Sequence, residues 1–261
     1  MKRKFYTLRL HFLCLMVVFL QFGGYAQDLS NNVKLYNTLG IDYSLNSKDK
    51  LSLSGTMIGD AVNGNFEYFQ FGLGYTRKLG KKTSVEVGFD AIQIKEPGNS
   101  FKKYYRTSLG LMYQHKLKWL QLNHGIEAEY FMPAFTKFKS RWSVESEITT
   151  RKSWTSLHIR PFTKFKLYYY KGGAYLSYYD EDGDLLAKKS ADDIHRWRWF
   201  GGIKMRILPS VSAKICYFWN EEFNAGLGTN SDINIYNKSK TSIRQPFNSY
   251  GAISTAITIT F

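Results

Sequence analysis

Tyr250-Gly251-Ala252-Ile253-Ser254-Thr255-Ala256-Ile257-Thr258-Ile259-Thr260-Phe261 is the last stretch of the sequence, and its alternation decides the class of fold. Successive side chains of an extended strand point to opposite faces. Ile253, Thr255, Ile257, Ile259 and Phe261 therefore share one face, and Tyr250, Ala252, Ser254, Ala256, Thr258 and Thr260 share the other. A bare apolar strand of this kind invites aggregation in water unless its edges are paired and its apolar face covered. The rest of the chain has to supply that pairing and that cover.

Upstream, the same two-residue period recurs and helical periodicity is almost absent. Val33, Leu35, Leu39, Ile41 and Tyr43 share a parity, as do Leu51, Leu53 and Met57 after the turn Asn46-Ser47-Lys48-Asp49. Phe69, Phe71, Leu73 and Tyr75 alternate with Gln70, Gly72, Gly74 and Thr76. After Leu79-Gly80-Lys81-Lys82, Val85, Val87, Phe89 and Ala91 alternate with Glu86, Gly88 and Asp90, and Glu96-Pro97-Gly98-Asn99 reads as a loop. The clearest pair follows. Tyr105, Thr107, Leu109, Leu111 and Tyr113 oppose Arg106, Ser108, Gly110, Met112 and Gln114, and Leu120, Leu122, His124, Ile126, Ala128 and Tyr130 oppose Gln121, Asn123, Gly125, Glu127 and Glu129.

Beyond these, Trp142, Val144 and Ile148 oppose Arg141, Ser143, Glu145 and Glu147. The run 157–169 keeps one parity through Leu157, Ile159, Phe165, Leu167 and Tyr169. Pro161 sits awkwardly in it and marks a bulge or a break, because proline cannot donate to a ladder. A shorter strand over 174–179 precedes the acidic loop Asp180-Glu181-Asp182-Gly183-Asp184. Trp197, Trp199, Ile203, Met205 and Ile207 then oppose Arg196, Arg198, Lys204 and Arg206, and Val211, Ala213, Ile215, Tyr217 and Trp219 follow the Pro209-Ser210 turn. The polar stretch 224–247 is the longest loop. The count is about twelve strands in a single domain, an even number that suits a closed bacterial barrel. One tension remains: if every very short turn faces the periplasm, the first strand starts on the other side.

The N-terminus predicts export. Lys2, Arg3, Lys4 and Arg9 form a basic start, residues 10–22 an apolar middle, and Gly24-Tyr25-Ala26 a small-x-small exit, so residues 1–26 read as a signal peptide and 27–261 as the mature domain. The apolar run is too short for a convincing transmembrane helix. Cys14 falls within it, which leaves Cys216 as the single mature cysteine and excludes an intrachain disulfide. Losing four of the 36 basic residues and none of the 21 acidic ones lowers the formal charge from +15 to +11. In an exported chain that balance points to the phosphates of outer-membrane lipid and lipopolysaccharide, not to nucleic acid.

Alternation alone does not separate a soluble sandwich from a membrane barrel. The first hides its apolar face, and the second presents that face to lipid and keeps its polar face for the lumen. Strands of about 10 to 14 residues are long enough to cross a bilayer at a tilt. Trp119, Trp142, Trp154, Trp197, Trp199 and Trp219 suit interfacial belts. The reading is an all-β, closed antiparallel transmembrane β-barrel of the Gram-negative outer membrane, with a soluble exported β protein as the less favoured fold. The last strand also resembles the C-terminal signal of bacterial outer-membrane barrels. The resemblance implies recognition of Ile257, Ile259 and Phe261 by the barrel assembly machinery.

The wider pattern resembles a family of small outer-membrane barrels known as domain of unknown function 2490. The resemblance rests on Tyr113-Gln114-His115 through His124-Gly125-Ile126-Glu127-Ala128-Glu129-Tyr130-Phe131, on Arg141-Trp142, on Tyr175-Leu176-Ser177-Tyr178-Tyr179 and on His195-Arg196-Trp197-Arg198-Trp199-Phe200-Gly201-Gly202-Ile203. It implies the barrel and carries no activity to any residue.

Catalytic and metal patterns are sparse. None of His11, His115, His124, His158 and His195 is followed two residues later by serine, the His-x-Ser pair of outer-membrane lipid hydrolases. Asp193-Ile194-His195 resembles the Asp-x-His element of omptin-like proteases, with Asp180 and Asp182 as imitators of the distant acidic pair. No histidine or cysteine cluster has ligand spacing, the acidic loop lacks an EF-hand layout, and no cofactor motif is present. The strongest constellation is electrostatic. Arg196, Arg198, Lys204 and Arg206 share one polar face, and Glu127, Glu129, Glu145 and Glu147 lie on the polar faces of two other strands. Facing lipid, a cation costs about 2–4 kcal/mol at the bilayer midplane, so both rows are expected to point into the lumen and to neutralise each other in part. The function expected is structural, or passage of small solutes through a charged lumen. The alternative is a barrel enzyme that hydrolyses lipid or peptide.

Overall fold

The computed structural model describes residues 33–61, 66–95, 100–155 and 157–261. The expected leader, residues 1–26, and the Glu96–Asn99 loop lie outside them. The chain is a meander of long strands: β1 (Val33–Ser44), β2 (Asp49–Asp60), β3 (Phe66–Lys78), β4 (Thr83–Lys95), β5 (Phe101–Lys116), β6 (Leu120–Met132), β7 (Phe138–Thr150) and β8 (Arg160–Gly172). The hairpin β9 (Leu176–Tyr179) and β10 (Leu185–Lys189) intervenes. Then come β11 (Asp193–Leu208), β12 (Val211–Glu222), the short pair β13 (Ile235–Tyr236) and β14 (Ile243–Arg244), and finally β15 (Tyr250–Thr260).

Among the described residues, eleven of these strands close into one barrel, in the order β1-β15-β12-β11-β8-β7-β6-β5-β4-β3-β2. That is one fewer than the twelve counted above, for a local reason. The segment 174–179, expected as a ninth wall strand, pairs with Leu185–Lys189 in a hairpin outside the wall. Every sequential pair in the wall is antiparallel. An odd number of strands makes the first and last run the same way, so β1 and β15 close the barrel in parallel, from Val33↔Gly251 to Asp42↔Thr260. The closure is therefore mixed and not wholly antiparallel. It also answers the tension over orientation: Val33 lies at the end of the barrel that carries the long loops, and Phe261 at the end of the short turns. Pro161 is the second residue of β8, opposite Ile203, where a strand tolerates the missing donor.

The wall strands have 11 to 16 residues, and their alternation puts apolar groups on the outside. Leu39 is 68% exposed, Leu109 58% and Trp142 57%, with Leu53, Leu73, Val87, Ile126 and Val144 beside them. Tyr43, Tyr113 and Trp119 ring the short-turn end of this surface, and Tyr105, Tyr130, Trp142 and Tyr169 ring the other. No helix among the described residues is long and apolar enough to cross a membrane. The strands are the elements built to do so.

The two ends differ. At the short-turn end the connections are tight, as in Lys78 N–H to Lys48 O (2.8 Å) and Leu79 N–H to Thr83 O (2.9 Å). At the other end, the β9–β10 hairpin and the loop 223–249 build a small second core from Leu176, Tyr178, Ala191 and Ile233. Asp193 fastens that loop to the barrel, because its carboxylate accepts from Ser231 Oγ (2.7 Å), Leu227 N (2.9 Å) and Gly228 N (3.2 Å). We call this assembly the cap.

Candidate functional site

The inward faces of the strands make the lumen, and the sequence fills it unevenly. Below the cap, Ile92, Tyr104, Phe131, Phe138, Tyr168 and Tyr170 form a buried cluster. Phe135, from the loop 133–137, enters it from above, with ring centroids 4.3 Å from Tyr104 and 5.3 Å from Phe138. Across the lumen, Phe218, Tyr250 and Ala252 pack with Tyr36 and Phe200. Further towards the short turns, small residues take over the inward faces. At Gly125 a Cβ would sit 2.4 Å from Met112 Sδ and 3.0 Å from Glu145 Cγ, so glycine there gives the long side chains of the facing strands their room.

Charges bridge these layers. Gln70 Nε2 donates to Asp90 (2.6 Å), and Asp90 accepts from Arg106 Nε (2.8 Å). Arg106 continues to Glu129 (2.9 Å), which also accepts from Arg141 Nε (2.5 Å) and Nη2 (2.9 Å). The Glu129 side chain is 2% exposed, so the centre of this ladder from β3 to β7 lies out of water. Burying such charges is tolerable only with complete pairing. On the next layer Lys166 meets Glu127 (2.6 Å) and Glu145 (3.4 Å), and Lys164 meets Glu145 (2.7 Å). Lys204 pairs with Glu147, which also accepts from Asn123 (3.1 Å) and Thr149 (3.0 Å).

All four expected glutamates point into the lumen, as do Arg196, Arg198 and Lys204. The expected matching between the two rows is different in detail. Among the described residues, only Lys204 meets one of those glutamates. Glu127, Glu129 and Glu145 are paired instead by Lys166, Arg106, Arg141 and Lys164, which stand one or two strands along the wall. Arg196 pairs with Glu222, which also holds Lys137 and accepts from Tyr170 Oη (3.1 Å) and Asn248 N (2.7 Å). Arg198 is held by uncharged groups: Asn220 Oδ1 (2.7 Å), Tyr250 Oη (3.3 Å) and the faces of Tyr168 and Phe218. Arg206 is exposed at the short-turn mouth. Asp90, Arg106, Lys137 and Glu222 were not singled out from sequence. The first two and Glu222 carry the inward parity of their strands, whereas Lys137 sits in a loop that no period describes.

Lys137 is the latch between cap and barrel. Besides Glu222 its ammonium donates to Pro246 O (2.7 Å), and beside it Gln245 Nε2 donates to Thr136 O (2.8 Å). Burial pulls its ammonium below the ordinary lysine range, although the Glu222 charge acts the other way.

The Asp193-Ile194-His195 element serves the cap. His195 is fully buried, Nδ1 3.1 Å from Phe223 O and Nε2 3.0 Å from Ala191 O. It lies at a register shift between Ile194 and Arg196, which lets both His195 and Arg196 turn inward. With both ring nitrogens on carbonyls and Asp193 spent on the loop 223–249, neither residue is presented to a substrate. Asp180 closes its own turn through Asp184 N (2.7 Å). No group of three or more potential metal ligands occurs among the described residues.

At the short-turn end the lumen opens into a cavity of roughly 610 Å³ between the 151–160 segment and strands β11, β12 and β15. Ser153 Oγ and His158 Nδ1 are 3.2 Å apart on its edge, both exposed.

No family model and no curated protein matches the chain. Among solved structures, a NanC porin is similar at a TM-score of 0.45 and 10% identity, covering 89% of this chain and 100% of that one. LpxR from Salmonella typhimurium is similar at 0.46 and 10%, covering 84% of each. Neither likeness is close enough to carry an argument about function, and the fold stands on its own strand pairing.

Proposed function

We propose that this chain is an outer-membrane β-barrel, non-enzymatic, whose charged lumen is capped at one end and passes small solutes when the cap is displaced. One observation carries the reading: the polarity of the wall is inverted, with leucines, valines and tryptophans outside and ion pairs inside. Water rewards the opposite arrangement, whereas lipid favours this one and penalises outward charge. Short turns on the periplasmic side and long loops outside would follow the usual habit of such barrels, and would put Phe261 where the assembly machinery acts. Outward-facing Lys103, Lys139 and Lys171 near the long-loop end suit the phosphates of lipopolysaccharide. A structural barrel shares the inverted wall, but needs no cap, fastened through Asp193 and Lys137, over a lumen that opens at its far end.

The test has two readouts. Purified protein should run as a heat-modifiable band, faster unboiled than boiled, and should partition with outer membranes. In planar bilayers the wild type should stay mostly closed and conduct once the cap is loosened. Recovery in a detergent-free periplasmic extract would sink the reading.

A further inference from the structure

The lumen is charge-matched almost everywhere except in one place. From the cap down to Lys204, inward cations meet carboxylates or, for Arg198, tyrosines and an amide. In the short-turn cavity the balance fails. Arg151, His158, Arg160, Lys204, Arg206 and Lys214 line it, and no aspartate or glutamate does. Of these, Lys204 alone has a carboxylate within ion-pair distance among the described residues, through Glu147 on the deeper side. Arg151 donates to a backbone carbonyl, Leu117 O (2.7 Å). Lys214 lies over the faces of Phe162 (4.7 Å) and Phe200 (5.9 Å). Among the described residues, Arg160 and Arg206 make no side-chain ion pair. Thr258, Thr260, Ser210 and Ser212 add hydroxyls to the same wall.

We infer that this vestibule is a binding site for small, soluble, multiply charged anions bearing phosphate or carboxylate groups. A concave space with low-dielectric walls and one sign of charge focuses the field and concentrates counter-ions. Guanidinium groups add geometry, since their paired N–H donors match the oxygens of carboxylate and phosphate. The volume takes a molecule of metabolite size. The other short turns of this end carry Lys81, Lys82 and Lys118 and no aspartate or glutamate, so the mouth as a whole shares the sign of the site. The inference deepens the solute-passing reading by naming the solute class, but binding is measured with the cap closed and needs no conduction.

The test is calorimetric titration of the full barrel in a detergent with uncharged headgroups, using inorganic phosphate, pyrophosphate and citrate. Pyrophosphate and citrate should bind one per barrel and tighter than phosphate. The double variant Arg160→Gln/Arg206→Gln should weaken them by about tenfold or more, as expected for two charge-assisted contacts. Lys81→Gln/Lys82→Gln, on the turn outside the cavity, should change affinity by less than about twofold, because rim charges act mainly on the approach. Heat-modifiable mobility shows that each variant is folded. Absence of binding by all three probes, or equal affinity in the Arg160/Arg206 variant, would overturn the site. Binding of short-chain phosphatidic acid alone would overturn the soluble solute class. A barrel that binds but never conducts defeats the passage reading and leaves this one standing.

Discussion

The two halves of the lumen are made from the same strands and the same alternation, yet one is packed shut and the other is open. Near the cap the inward positions carry Tyr, Phe and Ile together with cations held by carboxylates or, for Arg198, by an amide and tyrosines, and Tyr170, Ile92, His195, Glu222 and Asn220 are under 2% exposed. Near the short turns the inward positions are Gly, Ser and Thr, between lysines and arginines that keep contact with water. Lys204 is 29% exposed where Arg141 is 10%. Side-chain volume, not strand number, decides which part of a barrel of this size is passable. Dielectric follows volume: a charge in the packed half depends on its partner, and a charge in the open half can rely on solvent.

That contrast predicts unequal costs for the same chemical change. Glu129→Gln leaves the Arg141 guanidinium without its carboxylate and takes one of two from Arg106. It should cost about 3–5 kcal/mol in the unfolding of purified barrel by denaturant, as for a broken buried pair. Glu147→Gln should cost less, about 1–2 kcal/mol, because Lys204 can be hydrated although Glu147 itself is buried. Similar losses in the two variants would erase the distinction between the halves.

The latch sharpens the comparison from the other side. Lys137→Ala removes the contacts to Glu222 and Pro246 O and should turn a mostly silent barrel into a conducting one in planar bilayers. Neutralising Lys166, deeper in the lumen, should not. If Lys137→Ala stays closed, the aromatic cluster around Phe135 and not the ion-paired cap is the barrier, and Phe135→Ala becomes the opening variant.

A smaller effect belongs to the end of the chain. Phe261 is 68% exposed and ties into β1 through its backbone, with N–H to Asp42 O (2.9 Å) and its carbonyl accepting from Ser44 N (3.0 Å). Deleting it should reduce the amount reaching the outer membrane while the denaturation midpoint of the assembled barrel changes little. Unchanged assembly would count against its role as a signal.

How far the sequence could be read follows from what a two-residue period contains. Parity states which face a side chain takes, so the inward placement of Glu127, Glu129, Glu145, Glu147, Arg196, Arg198 and Lys204 was legible. Partnership depends on register between strands, and period alone says nothing about it. Arg141 reaches Glu129 because β6 and β7 pair those two residues directly, and Lys166 lies opposite Glu145 for the same reason on β7 and β8. Bulges at Lys139 and His195 shift the frame again. The hairpin that left the wall had strand-like alternation, and only its partner Leu185–Lys189 distinguishes it. The cap and its latch come from loops, where no period exists to be read.

The central claim, an inverted wall around a lumen open at one end, is tested most directly by cysteine labelling in membranes. Cys216 is itself buried, so Cys216→Ser provides the background. Into it go Ile215→Cys, on the outward face and 44% exposed, Ser212→Cys, on the wall of the short-turn cavity, and Ala252→Cys, inward and fully buried below the cap. The account predicts that position 215 reacts only with a lipid-soluble maleimide, position 212 with a water-soluble one, and position 252 with neither. Water-soluble labelling at 215 would contradict the lipid-facing wall, and labelling at 252 as fast as at 212 would contradict the closed half.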